Sequence, residues 1–396
     1  MVDTSEHYIK VCDAGEWKPF VFRQDRVEEM DYIDVYQEIR TPSPCSDAEV
    51  FTLPDQGTFL MLACESSKDD AEQASPLYKW EKGEFVYYQN ITTFGAQSWK
   101  FFSIDEELYL AVANRGQKSQ VKSICTIYRW SANHKLFFQQ QDIVTYTSRD
   151  IEYYEDNGEH YLAVANYAKD GHTQMASVIY RFEKRKSLFY PFKTVISMGA
   201  MDWTHFSIDG TGYLALANSF DGMTTQVYSA IYKLENGRPI EMQRIETIGA
   251  VDWEFFTVKD DVYLAVANSY NYGPQNKQNM APYFLNSSIY KFNKEQGMFE
   301  KYQDILTRSA TDWESFKVGD STYLIVSNAQ KDEETPRYPG HSSVYRWQGA
   351  EKFVRVHSLE TTASTDWEAF STGGGTYLVY TSAKLSTAYI LKVMLK

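Results

Sequence analysis

Short apolar runs recur along the whole chain, separated by polar turns. They are four to eight residues long and rich in Tyr, Phe, Ile, Val and Trp, which is typical of β-strands. Residues 263–268 (Tyr-Leu-Ala-Val-Ala-Asn) are apolar on both faces and predict a strand packed between two layers. No helical period is sustained, and no apolar stretch approaches 18 residues. The pattern predicts an all-β protein without a membrane-inserted segment.

The runs belong to a repeated unit of about 50 residues. Its clearest copy begins with Asp-Trp-Glu at residue 252, continues through residues 263–268 and 288–292, and ends at residues 302–305. Four strand-like pieces at this period predict a seven-bladed β-propeller with four-stranded blades, forming a single domain over residues 1–396. The heads of the seven copies lie at Asp47, Ser98, Asp150, Asp202, Asp252, Asp312 and Asp366.

The last copy lacks its fourth piece, since only residues 390–396 follow its third. Two segments near the start of the chain resemble the missing piece, residues 18–25 and residues 35–39. A propeller ring closes when one end of the chain completes the blade formed by the other, which also hides sheet edges. We therefore predict that a closing segment within about residues 1–42 completes the last blade.

The formal charge of −14 argues against nucleic acid and against anionic membrane surfaces as partners. The aromatic content of 16% reflects recurrent blade positions, so it does not indicate an aromatic binding surface by itself. Residues 1–20 lack the apolar core of a signal peptide, which leaves a cytoplasmic location open.

The four cysteines allow more than one arrangement. Cys12 lies in the predicted closing segment and Cys45 just before the first copy, so a bridge between them would staple the ring. Cys64 and Cys125 replace the usual Asn and Ser of adjacent blades and form a second possible pair. The alternative is four buried free thiols. Their spacing does not fit a zinc site.

The acidic residues at the repeat heads are the most chemically suggestive feature. Five of the seven heads are followed two residues later by Glu, and residues two apart on a strand face the same side. If that side faces the central channel, the carboxylates converge, and a Ca²⁺ ion bound by a subset of them would supply the counter-charge. The alternative is structural: each Asp caps a turn or bonds to the backbone of the neighbouring blade. The residues concerned are Asp47, Asp150, Asp202, Asp252, Asp312 and Asp366.

Two long loops follow the second strands of adjacent blades, at residues 269–286 and 329–341. We expect them to emerge on the same face as one raised wall, because binding residues concentrate on loops held by a rigid scaffold. Their mixture of aromatic, amide and charged side chains suits a protein or a sugar. The alternative is neutral insertion. The candidate binding residues are Tyr270, Tyr272, Asn276, Tyr283, Phe284, Lys331, Arg337 and Tyr338.

The combination of Asp-Trp-Glu-x-x-Phe, Tyr-Leu-Ala-Val-Ala-Asn and Ser-x-Ile-Tyr-Lys-Phe resembles the epilepsy-associated repeat, also called the EAR, EPTP or epitempin repeat. The resemblance extends from Tyr8 to Leu395. It implies a seven-bladed propeller like that of the leucine-rich glioma-inactivated proteins, in secreted or cell-surface proteins that bind other proteins. It also implies metal in the central channel. Sequons at Asn90 and Asn286 would accept glycans in a secreted chain.

We predict a non-enzymatic recognition module for a cell-surface or extracellular protein, with no organic cofactor. One alternative is a lectin that binds cell-surface glycans through repeat-derived pockets. A more remote alternative is a propeller hydrolase or lyase. The chain has no Gly-x-Ser-x-Gly, no phosphate-binding Gly-rich loop and no His-Glu-x-x-His to support that reading.

Overall fold

In the part of the chain that the structure describes, thirty β-strands form seven four-stranded sheets and one separate hairpin. The computed structural model describes residues 28–65, 72–116, 122–274, 282–330 and 340–396, and the backbone of residues 9–13 and 16–20. The hairpin contains β1 (Ile9–Asp13) and β2 (Glu16–Phe20), and the next strand is β3 (Met30–Arg40).

The sheets are the blades of a propeller, numbered here from the first complete sheet in the chain. Blade 1 contains β4 (Cys45–Leu53), β5 (Gly57–Cys64), β6 (Gln73–Glu81) and β7 (Glu84–Thr93). Blade 2 contains β8 (Ala96–Ile104), β9 (Glu107–Asn114), β10 (Ser123–Ser131) and β11 (Leu136–Thr145). Blade 3 contains β12 (Ser148–Asp156), β13 (Glu159–Asn166), β14 (Gln174–Glu183) and β15 (Leu188–Met198).

The remaining blades follow the same order. Blade 4 contains β16 (Ala200–Ile208), β17 (Thr211–Asn218), β18 (Gln226–Glu235) and β19 (Arg238–Ile248). Blade 5 contains β20 (Ala250–Val258), β21 (Asp261–Asn268), β22 (Phe284–Asn293) and β23 (Met298–Arg308). Blade 6 contains β24 (Ala310–Val318), β25 (Ser321–Asn328), β26 (Gly340–Trp347) and β27 (Phe353–Thr361), with a 3-10 turn at Gly349–Glu351. Blade 7 contains β28 (Ser364–Thr372), β29 (Gly375–Ser382), β30 (Thr387–Leu395) and β3.

The ring closes inside blade 7, as the sequence predicted. β3 pairs antiparallel with β30, with Met30 opposite Leu395 and Arg40 opposite Thr387, so residues 35–39 supply the missing strand. The other candidate, residues 18–25, was wrong: residues 18–20 belong to β2 and pair with β1. The length of the connection explains why β3 is the closing strand. A fourth strand leads into the inner strand of the next blade through a short turn, and only four residues separate β3 from β4.

The two ends of the ring differ because the strands of each blade alternate in direction. The connections from second to third strands, and from each blade to the next, share one end, which we call the loop face. The tight hairpin turns from first to second and from third to fourth strands lie at the other end, the hairpin face. Inner strands therefore start at the loop face, where both long loops also emerge.

Tryptophans and alanines fill the interfaces between blades. Trp253 on β20 is 2% exposed and packs with Ala215 and Ala217 on β17 of the preceding blade. The small alanines of the second strands let this large ring lie flat between two sheets. Ala48 and Ile151 occupy the Trp position in blades 1 and 3 and are equally buried.

A second set of contacts, the glutamine belt, joins the outer strands of neighbouring blades. The side-chain N–H of Gln303 donates to the carbonyl oxygen of Phe353 (2.9 Å), and its side-chain oxygen accepts the Phe353 N–H (3.0 Å). Lys193 and Pro239 hold the equivalent positions between blades 3 and 4, where proline has no N–H to donate. The paired residues in the described chain are Gln37–Phe85, Gln89–Phe137, Gln141–Phe189, Gln243–Phe299 and Gln303–Phe353.

The disulfide differs from both predicted pairings. Cys45 on β4 bonds to Cys64 on β5, because the antiparallel register places the two residues directly opposite each other. Cys64 stands where most blades have an Asn whose side chain bonds to the third strand and to the turn before the first strand. In blade 1 a covalent bond between the first and second strands takes the place of those hydrogen bonds. Cys125 is a buried free thiol, and the side chain of Cys12 lies outside the described residues. In the part of the chain that is described, no helix is long and apolar enough to cross a membrane.

Candidate functional site

The six head aspartates meet at the mouth of the central channel on the loop face. Each of the seven inner strands carries a bulge at its start, between the first residue and the head residue two positions on. Such bulges redirect side chains, and here they place the head residues around one cavity of about 220 Å³. The acidic lining consists of Asp47, Asp150, Asp202, Asp252, Asp312 and Asp366, with Ser98 at the seventh position.

Each aspartate bonds to the next blade around the ring. Oδ2 of Asp252 accepts the backbone N–H of Trp313 at 2.9 Å, and the corresponding distances elsewhere are 2.9–3.1 Å. This is the structural role that the sequence offered as the alternative to cation binding. The series is interrupted between blades 2 and 3, where the Ser98 hydroxyl instead donates to Oδ1 of Asp150 (2.9 Å). The accepting residues are Asp47, Asp150, Asp202, Asp252, Asp312 and Asp366.

A second acidic layer lies two residues further along the inner strands. Oε1 of Glu314 accepts the N–H of Ala369 (2.9 Å) in the next blade. Glu49, Glu254 and Glu368 make the same contact at 2.8–3.4 Å. The two layers together surround the axis with side-chain acceptors, except in blade 2, where Ser98 and Lys100 take the two positions.

In blade 2 a lysine, Lys100, occupies the position that Glu holds in five other blades. Nζ of Lys100 lies 2.7 Å from Oε2 of Glu152, and the two side chains are 32% and 12% exposed. Although burial lowers the pKa of Lys100, the Glu152 and Glu49 carboxylates raise it above its ordinary value, so the ammonium stays charged. In blade 4 the Thr204 hydroxyl replaces the acid and lies 2.6 Å from the Trp253 carbonyl oxygen.

The channel holds more negative charge than its lysine can balance. Burial raises the pKa of Asp366, and the carboxylate of Glu368 raises it further. Burial raises the pKa of Glu254 to about 7, and that of Glu152 to about 7 against the opposing effect of Lys100. Six Asp and five Glu therefore either bind protons near neutral pH or require a cation.

The donor chemistry suits a hard cation, because carboxylate oxygens are the ligands that Ca²⁺ takes. Within the described ranges, however, no group of three or more His, Cys, Asp or Glu side chains is arranged to hold a metal ion. One oxygen of each aspartate is already used by a backbone N–H. These carboxylates therefore have a structural role, and calcium remains a prediction for this channel.

An aromatic groove of about 430 Å³ lies beside the channel mouth on the loop face. The rings of Tyr270 and Tyr272 stack with centroids 6.2 Å apart, and Phe220 meets Tyr272 edge-on at 6.2 Å. Tyr167 from blade 3 completes the aromatic lining. Val251 lines both this groove and the channel mouth, so the apolar and acidic surfaces are continuous.

The groove is anchored by its backbone. The N–H of Tyr272 donates to the Thr225 hydroxyl (2.7 Å), and the N–H of Thr225 donates to the Tyr272 carbonyl (2.9 Å). The long loop of blade 5 is thus tied to the shorter loop of blade 4. The Tyr272 ring is 51% exposed and takes no part in those bonds.

The structure brings together some of the predicted loop residues. Tyr270 packs against Tyr283 with centroids 5.1 Å apart, and Phe284 begins β22 beneath the Arg308 guanidinium at 5.7 Å. Sequence reasoning missed Tyr167 and Phe220, although each follows the Asn that ends a second strand by one or two residues, as Tyr270 does. The predicted residues that lie outside the described part of the chain are Asn276, Lys331, Arg337 and Tyr338.

The fold is that of a seven-bladed β-propeller, and several solved structures are similar to it over most of their length. A putative 6-phosphogluconolactonase from Bacteroides fragilis superposes with a TM-score of 0.57 at 15% identity, covering 81% of this chain and 85% of that one. Sqt1 from Saccharomyces cerevisiae superposes with a TM-score of 0.55 at 8% identity, covering 91% and 99%. At these identities the similarity concerns the fold alone.

The chain belongs to the EPTP family. The EPTP domain model matches six successive segments, at residues 84–131, 137–183, 188–235, 240–293, 298–348 and 352–390. The human thrombospondin-type laminin G domain and EAR repeat-containing protein is 41% identical over 99% of this chain, which spans 57% of that protein's length. Leucine-rich repeat LGI family member 3 of Macaca fascicularis is 25% identical over 60% of this chain and 39% of its own.

Proposed function

We propose that this propeller is a recognition module that docks a partner protein on its loop face, in an extracellular or cell-surface setting. The observation that carries the proposal is the aromatic groove beside the acidic channel mouth. Partly exposed rings held by a rigid backbone supply contact area at a low cost in conformational entropy, which is typical of the anchoring parts of protein interfaces.

The charges around the groove favour a particular kind of partner. Asp202 and Asp252 lie at the channel mouth next to Val251, at the edge of the groove. An apolar side chain that entered the groove would place its neighbours over this acidic rim. A segment that pairs an apolar anchor with a basic residue therefore complements the surface, whereas an acidic segment would be repelled.

Two further features support an extracellular location. The Cys45–Cys64 disulfide belongs to a class of bond that persists mainly in oxidising compartments. The sequon residues Asn90 and Thr92 are both exposed on the outer strand β7, where a glycan can be accommodated. Membership of the EPTP family, with relatives that include LGI family proteins, agrees with a protein-binding role.

The test uses the purified, disulfide-bonded chain as bait. A partner isolated from cell-surface extracts is purified, and its affinity is measured by surface plasmon resonance against the wild type and Tyr272→Ala. We expect Tyr272→Ala to weaken binding by about tenfold or more, because an anchoring ring is lost while the loop keeps its backbone bonds.

Tyr228→Ala is the matched control, since Tyr228 is 55% exposed on β18 but outside the groove. Its affinity should stay within about twofold of the wild type. If folded Tyr272→Ala binds the partner as tightly as the wild type does, the partner does not use this groove. Binding restricted to free glycans would argue against a protein partner.

A further inference from the structure

A larger cleft lies at the opposite end of the molecule, on the hairpin face of blade 2. It has a volume of about 920 Å³ and opens between the two hairpin turns of that blade. Asp105 and Glu106 form the turn between β8 and β9, Glu107 begins β9, and Asn133 lies on the turn between β10 and β11. We call this the blade-2 cleft. It shares no residue with the channel mouth or the aromatic groove.

Two of the four charged residues that line the blade-2 cleft pair with each other. The Arg129 guanidinium bonds both oxygens of Glu107, at 2.6 and 2.8 Å. Outside the lining, Nζ of Lys184 lies 3.1 Å from Asp105. These ion pairs are exposed and contribute little to stability, and with Glu106 the cleft keeps a net negative charge that disfavours an anionic ligand and allows an uncharged polar one.

Fixed amides supply hydrogen-bonding groups toward the same space. The side-chain N–H of Gln139 donates to Oδ2 of Asp142 (2.9 Å), and that of Gln140 donates to the Ser187 carbonyl (3.3 Å). Each amide therefore has its orientation set and keeps a carbonyl oxygen that can accept further hydrogen bonds. Asn133 adds an amide with both donor and acceptor groups.

Two aromatic rings border the cleft. Trp130 is held by Phe137, with ring centroids 5.1 Å apart, and by Tyr88, at 6.5 Å. Phe138 is 48% exposed, on the outer strand. The face of an aromatic ring carries negative potential and attracts the C–H groups of a pyranose, while planar polar side chains bond to its hydroxyls.

The backbone at the edge of the cleft is strained. Asp105 and Glu106 both have positive φ, at 47° and 71°, in a tight turn that favours Gly at its second position. Blades 3, 4 and 7 place Gly there, as Gly158, Gly210 and Gly374. A Glu in this conformation costs free energy, and strain of this kind clusters at binding sites.

A smaller groove of about 310 Å³ lies at the equivalent place in blade 5. Lys291 and Phe292 occupy the positions of Arg129 and Trp130, and Lys291 pairs with Asp261 at 2.8 Å. Glu300 and Lys301, however, stand where blade 2 has Phe138 and Gln139. The exposed ring and the amide are therefore features of the blade-2 cleft and not of the blade-5 groove.

We propose that the blade-2 cleft binds an uncharged saccharide. The cleft would place the ring face of one sugar on Phe138 and its hydroxyls toward Asn133 and Gln139. This site is independent of the loop face, so a glycan and a partner protein can be bound together.

The first experiment is a printed array of neutral and sialylated mammalian glycans, probed with the full purified chain. We expect a related group of neutral glycans to bind, and added sialic acid to give no increase. The strongest neutral oligosaccharide is then titrated by calorimetry against the wild type, Phe138→Ala and Asn133→Ala. Each variant should bind about tenfold more weakly or not at all.

Tyr190→Ala is the matched control, because Tyr190 is 38% exposed at the equivalent position of blade 3, outside the cleft. It should bind as the wild type does. Phe138→Ala and Asn133→Ala both alter exposed residues, and their melting temperatures verify that they fold. A blank array, or neutral glycans bound equally by wild type, Phe138→Ala and Asn133→Ala, would overturn the proposal.

Discussion

Neighbouring blades are joined by two rings of side-chain to backbone hydrogen bonds, one at the channel and one at the rim. At the channel, Asp252 reaches the N–H of Trp313; at the rim, Gln303 reaches both the N–H and the carbonyl of Phe353. The Gln side chains carry no charge, and each pairs both its N–H donor and its oxygen acceptor. Repeating this contact around the ring therefore adds no repulsion between blades. The Asp bonds bring carboxylates together, so every repetition adds charge that must be neutralised.

The two rings are also interrupted at different interfaces. The channel series breaks between blades 2 and 3, where Ser98 replaces Asp and Lys100 pairs with Glu152. The glutamine belt breaks between blades 3 and 4, at Lys193 and Pro239, and His357 replaces the Gln of blade 6. A blade interface that lacks a bond in one ring can therefore keep the bond in the other.

The largest expected difference between the rings is in their response to pH. Without metal, Glu152 and Glu254 have folded pKa values of about 7, above their unfolded values, so the folded state binds more protons. Stability should then fall as pH rises from 5 to 8, by about 2 kcal/mol for each of these groups. Urea midpoints measured in EDTA across this range test the sign. A stability that is constant or rises with pH would contradict it.

Removal of the channel lysine should have the next largest effect. Lys100→Met leaves Glu152 without its partner and should cost about 3–5 kcal/mol at pH 8. The cost should shrink at pH 5.5, where Glu152 can bind a proton. The double variant Lys100→Met/Glu152→Gln is the control and should recover most of the loss, because no unpaired charge is left. A single variant as stable as the wild type at pH 8 would show that the ion pair is unimportant.

Calcium should stabilise the channel and not the rim. If a subset of the head aspartates binds Ca²⁺, saturation at 100 times the dissociation constant should add about 3 kcal/mol, and EDTA should remove it. Calcium should also weaken the pH dependence, since it competes with protons for the carboxylates. The measurement is calorimetric melting with Ca²⁺, with Mg²⁺ and with EDTA. Identical melting temperatures in protein shown to be metal-free at the start would exclude the calcium prediction.

Two substitutions of Asp252 distinguish the effect of its hydrogen bond on stability from the effect of its negative charge. Asp252→Ala leaves the N–H of Trp313 without an acceptor and should cost about 1–3 kcal/mol. Asp252→Asn keeps an acceptor oxygen and removes one negative charge, so in EDTA it should be neutral or stabilising. Denaturant titration of the two variants gives the comparison. If Asn is as damaging as Ala in EDTA, the negative charge itself is needed at that position.

The smallest expected effect is at the rim. Gln303→Leu removes both bonds to Phe353 and should cost about 1–2 kcal/mol at every pH between 5 and 8. Lys193→Leu, at the interface where the belt is already interrupted, is the matched control and should cost less than about 0.5 kcal/mol. A cost for Gln303→Leu that varied with pH would mean that the two rings are coupled.

Much of the fold could be predicted because every blade must bury the same surfaces. The head motif and the apolar second strand recur for that reason, and the seven heads predict seven blades. The disulfide and the closing strand depend on how strands pair, which repetition in the sequence does not show. Cys45 and Cys64 lie opposite each other only because β4 and β5 pair as they do, and β3 was one of two similar candidates for the closing strand.

The candidate sites could be predicted only in part. The head aspartates were identified, but repetition alone did not separate cation binding from the bonds to Trp313 and its equivalents. Gln303 lies in the predicted fourth piece at residues 302–305, but its bonds to the next blade were not predicted. Tyr167 and Phe220 were missed because the prediction selected loops by their length, and these two residues lie on loops of ordinary length.

The closing pair of strands has a mechanical consequence. The chain enters β3 at Met30 and leaves β30 at Leu395, and these residues lie opposite each other at the same end of the ladder. The N–H of Lys396 bonds to the Glu29 carbonyl just beyond them (3.0 Å). Force applied at residues 29 and 396 would therefore break the ladder bonds one after another, as a zipper opens, rather than all at once. Heat must break many contacts of the ring at once, whereas tension at these two residues breaks one bond at a time. Modest tension would therefore open the ring between β3 and β30.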